Sequence, residues 1–110
     1  MPVAVREKVR AVARDLGGQA KVARLLGVSP SRVSRWLKNE APDPATRLKL
    51  EGVEYVMSRL LHLYGRETAL EWLQGFNAHL GDRRPIDVLG GGRVDEVIRA
   101  IQAEQSLSYS

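Results

Sequence analysis

The chain has 110 residues, a formal net charge of +4 at pH 7 and no cysteine. Its length fits one domain or two very small helical lobes, and an apolar content of 44% provides a core of modest size. The absence of cysteine excludes disulfides and thiolate metal sites. No apolar run is long enough to span a bilayer, and the N-terminus is charged too early for a secretory signal. We therefore expect a cytoplasmic protein without membrane contact.

Positive charge is concentrated in the first half of the chain. Residues 1–50 carry 11 Lys and Arg against 4 Asp and Glu, whereas residues 51–110 carry 6 against 9. The first half is therefore suited to contact phosphate, and the second half is not. We expect one domain over residues 1–50 and another over residues 51–110.

Apolar residues recur at helical spacing almost throughout the chain, which predicts an all-α protein. The first helix is predicted over residues 3–16 and ends at a Gly-Gly pair, which favours a helix stop. Its inward face is expected to consist of Val5, Val9, Val12 and Leu16.

Residues 19–38 fit a helix-turn-helix at the positions where that unit is constrained. Ala23 is small enough to let two helices cross closely, and Gly27 can adopt the positive φ of a sharp turn. Ser29 and Pro30 are a helix N-cap and a first helical residue. This spacing resembles the helix-turn-helix of the Cro and phage-repressor (Xre) type. The alternative is an ordinary helical hairpin with a solvated basic face.

The second helix of this unit has two different faces. Val33, Trp36 and Leu37 form an apolar face, and the opposite face is polar and basic. Such a helix fits the major groove of DNA, where an arginine can donate two hydrogen bonds to guanine and flanking side chains reach phosphates. Among the candidate DNA contacts, Arg35 would read a base, and Gln19 and Arg32 would contact phosphates. The other candidate contacts are Ser29, Ser31, Ser34 and Lys38.

A long helix is predicted to follow, because Asp43 and Pro44 form a second N-cap pair. It extends to about Tyr64, and at 1.5 Å per residue it spans about 30 Å, enough to join the helix-turn-helix to a small C-terminal helical domain. The helix has more apolar residues than one stripe of a small core uses. We therefore expect part of it to pack against a second copy in a homodimer. The residues left over for this contact are Leu48, Leu50 and Leu63.

The last third of the chain shows two apolar stripes and a short helical turn. The first stripe is Ala69, Trp72, Leu73 and Phe76, and the turn covers residues 85–89. The Gly-Gly-Gly at 90–92 indicates a hinge or a turn, since no strand precedes it and no Lys-Ser/Thr follows it as in a phosphate-binding loop. The final SLSYS is expected to be frayed. The second stripe is Val94, Val97, Ile98 and Ile101.

Residues 69–101 resemble the C-terminal toxin-binding domain of the Xre, MbcA and ParS antitoxin family. The chain departs from the family pattern at Gly75-Phe76, where a proline is usual before the asparagine, and in a third glycine at the turn. The matching residues are Ala69, Trp72-Leu73, Asn77, Leu80, Gly81, Arg84-Pro85, Leu89, Gly92, Val97 and Ile101.

The resemblance, which covers nearly the whole chain, implies an antitoxin. Its C-terminal domain would bind a RES-domain toxin, which degrades NAD, and its helix-turn-helix would bind the promoter of its own operon. From the polar face of the second helix and the expected homodimer, we predict that the DNA site is an inverted repeat. The protein would then be associated with the nucleoid when bound to DNA. The residues that the resemblance assigns to the toxin interface are Arg84, Pro85, Leu89, Gly92, Arg93, Val97 and Ile101.

Two other classes of function remain open at this point. One is a free-standing repressor whose C-terminal half dimerises or senses a small ligand. The other is an enzyme, for which His62 and His79 are the residues that titrate near neutrality. Neither histidine has metal-ligand spacing with another His, Asp or Glu on the same helical face. We therefore expect no catalytic residue, cofactor or metal site.

Overall fold

The computed structural model describes residues 2–108, and the side chains of residues 5–107. The fold is all-helical, as predicted, and the described residues contain no strand beyond an isolated bridge between Asn77 and Arg83. A short 3-10 helix, Ala78–Leu80, lies between the fifth and sixth α-helices. The α-helices are α1 (Pro2–Leu16), α2 (Gln19–Leu26), α3 (Pro30–Trp36), α4 (Pro44–Leu63), α5 (Arg66–Gln74), α6 (Pro85–Gly90) and α7 (Val94–Ser108).

Helix α1 buries the face that its sequence predicts and packs along α4. It ends at Gly17 and Gly18, both of which have positive φ. Between these two helices, the ammonium of Lys8 donates to a carboxylate oxygen of Glu54 at 2.8 Å. This half-buried bond raises the pKa of Lys8 above its ordinary value. The buried residues of α1 include the predicted Val5, Val9, Val12 and Leu16.

Helix α4 begins at the predicted cap. The Asp43 carboxylate accepts hydrogen bonds from the backbone N–H of Thr46 at 3.4 Å and from its hydroxyl at 2.6 Å. These bonds hold the pKa of Asp43 below its ordinary value. The prediction that Leu50 is left over for self-association is wrong, because Leu50 is fully buried in the core. Leu48, by contrast, is 71% exposed, and Leu63 is half-buried.

One hydrophobic core runs through the molecule. Its buried residues extend from Val5 in α1 to Ile101 in α7 and include side chains from every α-helix. The predicted domain boundary at residue 50 falls inside α4, which is continuous there. Helix α4 also meets α7 closely, since a Cβ placed on Gly52 would collide with the side chain of Val94. Helix α4 thus contributes to the packing of both halves.

Two expectations for the C-terminal half are wrong. Phe76 does not continue the buried stripe of α5, because Gly75 takes an extended conformation after Gln74 and ends the helix. The Phe76 side chain is 80% exposed. Residues 106–108 are not frayed but form the last turn of α7, which Arg59 anchors to α4 by donating to the Gln105 side chain at 2.7 Å. The remainder of the predicted tail, residues 109–110, lies outside the described residues.

Among the described helices, none combines the length and the apolar character that crossing a bilayer requires.

Candidate functional site

Helices α2 and α3, with the turn between them, form a helix-turn-helix unit. Gly27 ends α2 with φ of 72°, the left-handed conformation that its position predicts. Ser29 caps α3 by accepting a hydrogen bond from the backbone N–H of Arg32 at 3.4 Å, and Pro30 is the first helical residue. Ala23 is buried where α2 packs on α3. The short-range signals that the sequence predicts, a glycine stop and a Ser-Pro start, therefore form the turn between α2 and α3.

The predicted outer face of α3 is accessible. Ser31, Arg32 and Arg35 are exposed, as are Gln19 and Ser29 near the starts of α2 and α3, whereas Ser34 is half-buried. The hydroxyls of Ser29 and Ser31 lie 3.1 Å apart. Side-chain donors and acceptors are thus available along the helix, as contact with base edges and phosphates requires.

Lys38 follows α3 instead of lying on its face, which corrects the predicted helical position. The helix ends at Trp36, and the carbonyl of Arg35 accepts from the backbone N–H groups of Lys38, Asn39 and Glu40 at 3.0 to 3.1 Å. These bonds close a tight turn, so Lys38 leaves the helical register. Its side chain is exposed at the end of the α3 face. Such a position suits a phosphate contact better than a base contact.

Glu40 pairs with the arginine predicted to read bases. The Arg35 Nε donates to a Glu40 carboxylate oxygen at 3.2 Å, and both side chains are about half exposed. Sequence reasoning missed this acid because the pair forms through the turn after α3 and follows no helical spacing. Exposed ion pairs contribute little free energy, so DNA can compete with Glu40 for Arg35 at low cost.

In the part of the chain whose side chains are described, cations without a partner lie only in the first half. Among residues 5–107, six Lys and Arg side chains form neither an ion pair nor a hydrogen bond with the protein. Sequence reasoning did not single out Arg6, Lys21, Arg24 or Arg47, because a count of charges does not show which are neutralised. The six residues are Arg6, Lys21, Arg24, Arg32, Lys38 and Arg47.

The surface that the family resemblance assigns to toxin binding lies around α6 and the start of α7. Arg84 donates to both carboxylate oxygens of Asp87, at 2.9 and 3.1 Å, and it remains partly accessible. Arg93 is exposed and only loosely paired with Glu96, at 3.7 Å. Gly92 is an exposed turn residue with positive φ. The other assigned residues are buried and shape this surface from below: Pro85, Leu89, Val97 and Ile101.

A shallow hollow of about 370 Å³ adjoins this surface. Its lining includes Phe76, Arg84, Val88 and Arg93. An exposed phenylalanine beside arginines resembles the composition of protein interfaces, where aromatic residues and Arg are enriched. The sequence analysis placed Phe76 in the core and so missed it.

No histidine cluster or metal site is evident in residues 5–107. His62 and His79 are both exposed, and His79 belongs to the 3-10 turn that Asn77 caps. Within this described part of the chain, no three His, Asp or Glu side chains come together as metal ligands do. The two accessible surfaces, one cationic and one with an exposed aromatic ring, are therefore the candidate sites.

Together these features define an all-helical protein with a helix-turn-helix unit and a helical C-terminal half. Its structure is similar to one chain in the crystal structure of the M. tuberculosis MbcT–MbcA toxin–antitoxin complex. The TM-score is 0.76 at 26% sequence identity, and the match covers 89% of this chain and 90% of that chain. No protein-family model matches the chain, and no curated protein matches it.

Proposed function

We propose that the protein is an MbcA-like antitoxin of a type II toxin–antitoxin module. The observation that carries the proposal is the likeness to a component of the MbcT–MbcA complex over nearly the full length of both chains. In this proposal the C-terminal half binds a RES-type toxin and stops it degrading NAD. The helix-turn-helix binds the operon's own promoter. The antitoxin acts by binding and not by catalysis.

Co-expression with a RES-type toxin, to be sought in the reading frame beside the gene, tests the neutralising role. We expect the wild-type chain to preserve cellular NAD and survival. The charge reversal Arg93→Glu should weaken this protection, because Arg93 is exposed on the proposed toxin surface. A matched control is Arg99→Glu, an equally exposed arginine on α7 that pairs with Asp95. Absence of a toxin from both the adjacent reading frame and a pull-down would refute the antitoxin role.

Promoter binding is the second part of the proposal. The unpartnered cations and the accessible face of α3 support contact with DNA phosphates and bases. A dimer would bind an inverted repeat whose half-sites are about one or two helical turns apart, at about 34 Å per turn.

Mobility-shift titrations on operator and scrambled DNA test this part. Arg35→Ala should cost about 1 to 3 kcal/mol on the operator and relax preference at one base position. Lys38→Ala should weaken binding to both DNAs evenly. If Arg35→Ala also weakens both evenly, Arg35 is a phosphate contact instead of a base contact.

The homodimer is proposed to form through the outer face of α4. Leu48 and Tyr55 lie seven residues apart on that helix, and both are large exposed hydrophobic residues. A groove beside α1 continues this face and includes Tyr55, Leu61 and His62 in its lining. Sedimentation equilibrium at micromolar protein should show a dimer that Leu48→Glu converts to a monomer. A wild-type monomer that still binds the operator specifically would exclude this arrangement.

A second candidate function is a free-standing repressor that senses a small anionic ligand. It is favoured by a cleft of about 550 Å³ between α2 and the α5–α6 region. The lining of the cleft combines apolar residues, which include Leu25 and Leu73, with cationic ones, which include Lys21 and Arg24. Such a repressor would need no toxin, so the pull-down from the native host distinguishes the two functions.

A further inference from the structure

Phe76 is the most exposed of the large hydrophobic side chains in the described part of the chain. It lies between α5 and the 3-10 turn, where the backbone is extended. Exposing a phenylalanine to water costs roughly 1.5 to 3 kcal/mol relative to burying it. An aromatic ring kept outside the core in this way is more typical of a binding surface than of a structural position.

The segment that carries Phe76 is held firmly. Asn77, the next residue, is the one buried polar residue of the described core. Its backbone N–H donates to the carbonyl of Arg83 at 3.0 Å, and its own carbonyl accepts from Asp82 at 2.9 Å. Its side-chain oxygen accepts from the backbone N–H of His79 at 2.9 Å. Phe76 is therefore presented on a fixed backbone, so little conformational entropy would be lost when a partner covers the ring.

The surroundings of Phe76 match one kind of partner. Phe76, Arg84 and Arg93 line the same hollow, and Arg84 and Arg93 are the charged residues that the resemblance assigns to the toxin interface. The exposed Asp82, Arg83 and Asp87 also line it. Both guanidiniums retain N–H groups that their bonds to Asp87 and Glu96 do not use. The complementary surface is an apolar pocket with hydrogen-bond acceptors at its rim.

We propose that Phe76 is the apolar anchor through which the chain binds its toxin. The ring enters an apolar pocket on the toxin, and acceptors at the rim of that pocket bind Arg84 and Arg93. This inference rests on the proposed antitoxin function and extends it by naming the residue on which affinity depends most. It concerns the toxin and not DNA, because the half of the chain that carries Phe76 has an excess of acidic residues.

The composition of the chain provides a direct probe. Phe76 is its one phenylalanine, so biosynthetic incorporation of 4-fluorophenylalanine gives a single 19F resonance. In the free full-length protein this resonance should show the solvent isotope shift of an exposed ring when H2O is replaced by D2O. Addition of the unlabelled toxin from the adjacent reading frame should move the resonance and remove that solvent shift. Operator DNA should leave the resonance in place.

A mutation series supplies the energetic test. Phe76→Ala should weaken toxin affinity at least about 30-fold, the scale of an interface hot spot. It should leave the circular dichroism spectrum and the melting temperature unchanged, since the ring is not packed in the core. The matched control is Arg99→Ala, which truncates another large exposed side chain, on α7 and outside the hollow. This variant should keep wild-type affinity for the toxin.

The outcomes separate this inference from the function on which it rests. A complex that forms with an unmoved 19F resonance, or with full affinity for Phe76→Ala, overturns the anchor and leaves the antitoxin function standing. If the wild-type chain forms no complex with the toxin, the antitoxin function fails, and the anchor fails with it. If the toxin displaces the 19F resonance and Phe76→Ala alone loses toxin affinity, both the anchor and the antitoxin function are supported.

Discussion

In residues 5–50, six cationic side chains have no ion pair or hydrogen bond within the protein, whereas each arginine between residues 51 and 107 has a partner. In the second half Arg83 donates to Glu96 at 2.6 Å, and Arg66 donates to the carbonyl of Arg14 at 2.7 Å. The two halves therefore differ more in the number of cations without a partner than their formal charges indicate. The first half keeps six cations without a partner, whereas the second half holds each of its described arginines in an ion pair or a hydrogen bond and exposes an aromatic ring.

This contrast shows how one small core can carry two surfaces of different exposed chemistry. The surfaces differ in exposed chemistry, but the buried residues beneath them belong to one cluster that α4 joins. In the proposed function, specificity for DNA or for protein is thus a property of the outer residues, and stability is a property of the shared interior. Changes in the core should affect both halves, whereas changes at the surface should affect one.

The largest effect is expected from Leu60→Ala. Leu60 is fully buried in α4, so its truncation should cost about 2 to 5 kcal/mol. Trp36 and Trp72 lie in different halves, so Trp72→Phe and Trp36→Phe variants each leave one fluorescent reporter. In urea titrations, we expect Leu60→Ala to shift both reporters' transitions together.

The contrary result is equally informative. If only the Trp72 transition moves, the halves unfold separately, and the two domains expected from the sequence at residues 1–50 and 51–110 would be supported. The Arg47→Ala variant, which truncates an exposed side chain on the same helix, is the control. It should leave both transitions close to their wild-type positions.

Much of the fold follows from local sequence signals, and the failures have specific physical causes. The stop at Gly27 and the caps at Ser29 and Asp43 are short-range features, and each is confirmed. Phe76 was misplaced because helical spacing continues past Gly75 in the sequence, although the backbone turns extended there. Leu50 was misplaced because periodicity does not reveal how wide a face the neighbouring helices cover.

Contacts that follow no helical spacing were the least predictable part of the candidate sites. The Arg35–Glu40 pair depends on a turn outside any helix. The hollow beside Phe76 depends on how α6 and α7 pack near the 3-10 turn. Neither has a spacing that sequence analysis could have used. The resemblance identified the region around Arg84 and Arg93 but did not separate its buried residues from its accessible ones.

Gly52→Ala should have the next largest effect, because it tests how closely α4 and α7 must approach. Alanine favours a helix over glycine by about 1 kcal/mol, so an isolated helix would gain stability. Here the new methyl group would collide with Val94, and overpacking of this kind costs about 1 to 3 kcal/mol. We expect a net loss of stability in urea denaturation. The double variant with Val94→Ala should recover part of it, and a stabilised single variant would contradict the close approach.

A smaller effect is expected from Glu40→Gln, which tests the acid that pairs with Arg35 on the outer face of α3. Removing the carboxylate frees Arg35 and reduces repulsion of phosphate, so DNA affinity should rise about two- to fivefold at low salt. The gain should shrink as salt increases. Glu7→Gln removes the same charge from an exposed pair with Arg10 on α1 and should change affinity less. If both variants gain the same DNA affinity, the effect comes from net charge and not from the Arg35–Glu40 pair.

The smallest effect concerns the cap at the start of α4, the helix that both halves share. The hydroxyl and backbone N–H of Thr46 donate to the Asp43 carboxylate and hold its pKa below 3.8. Because the folded-state pKa is the lower one, the ionised cap stabilises the fold above about pH 3.8, and this contribution is lost as the pH falls through the folded-state pKa. The stability gap between wild type and Asp43→Ala should therefore be largest at neutral pH and should shrink below pH 3.8.

The control is Asp43→Asn, which keeps an acceptor that does not titrate. The difference in stability between Asp43→Asn and Asp43→Ala should therefore stay nearly constant with pH. Urea midpoints of the three proteins between pH 2.5 and pH 7 measure both gaps, and a wild-type gap that does not change with pH would show that the Asp43 charge contributes nothing to the cap.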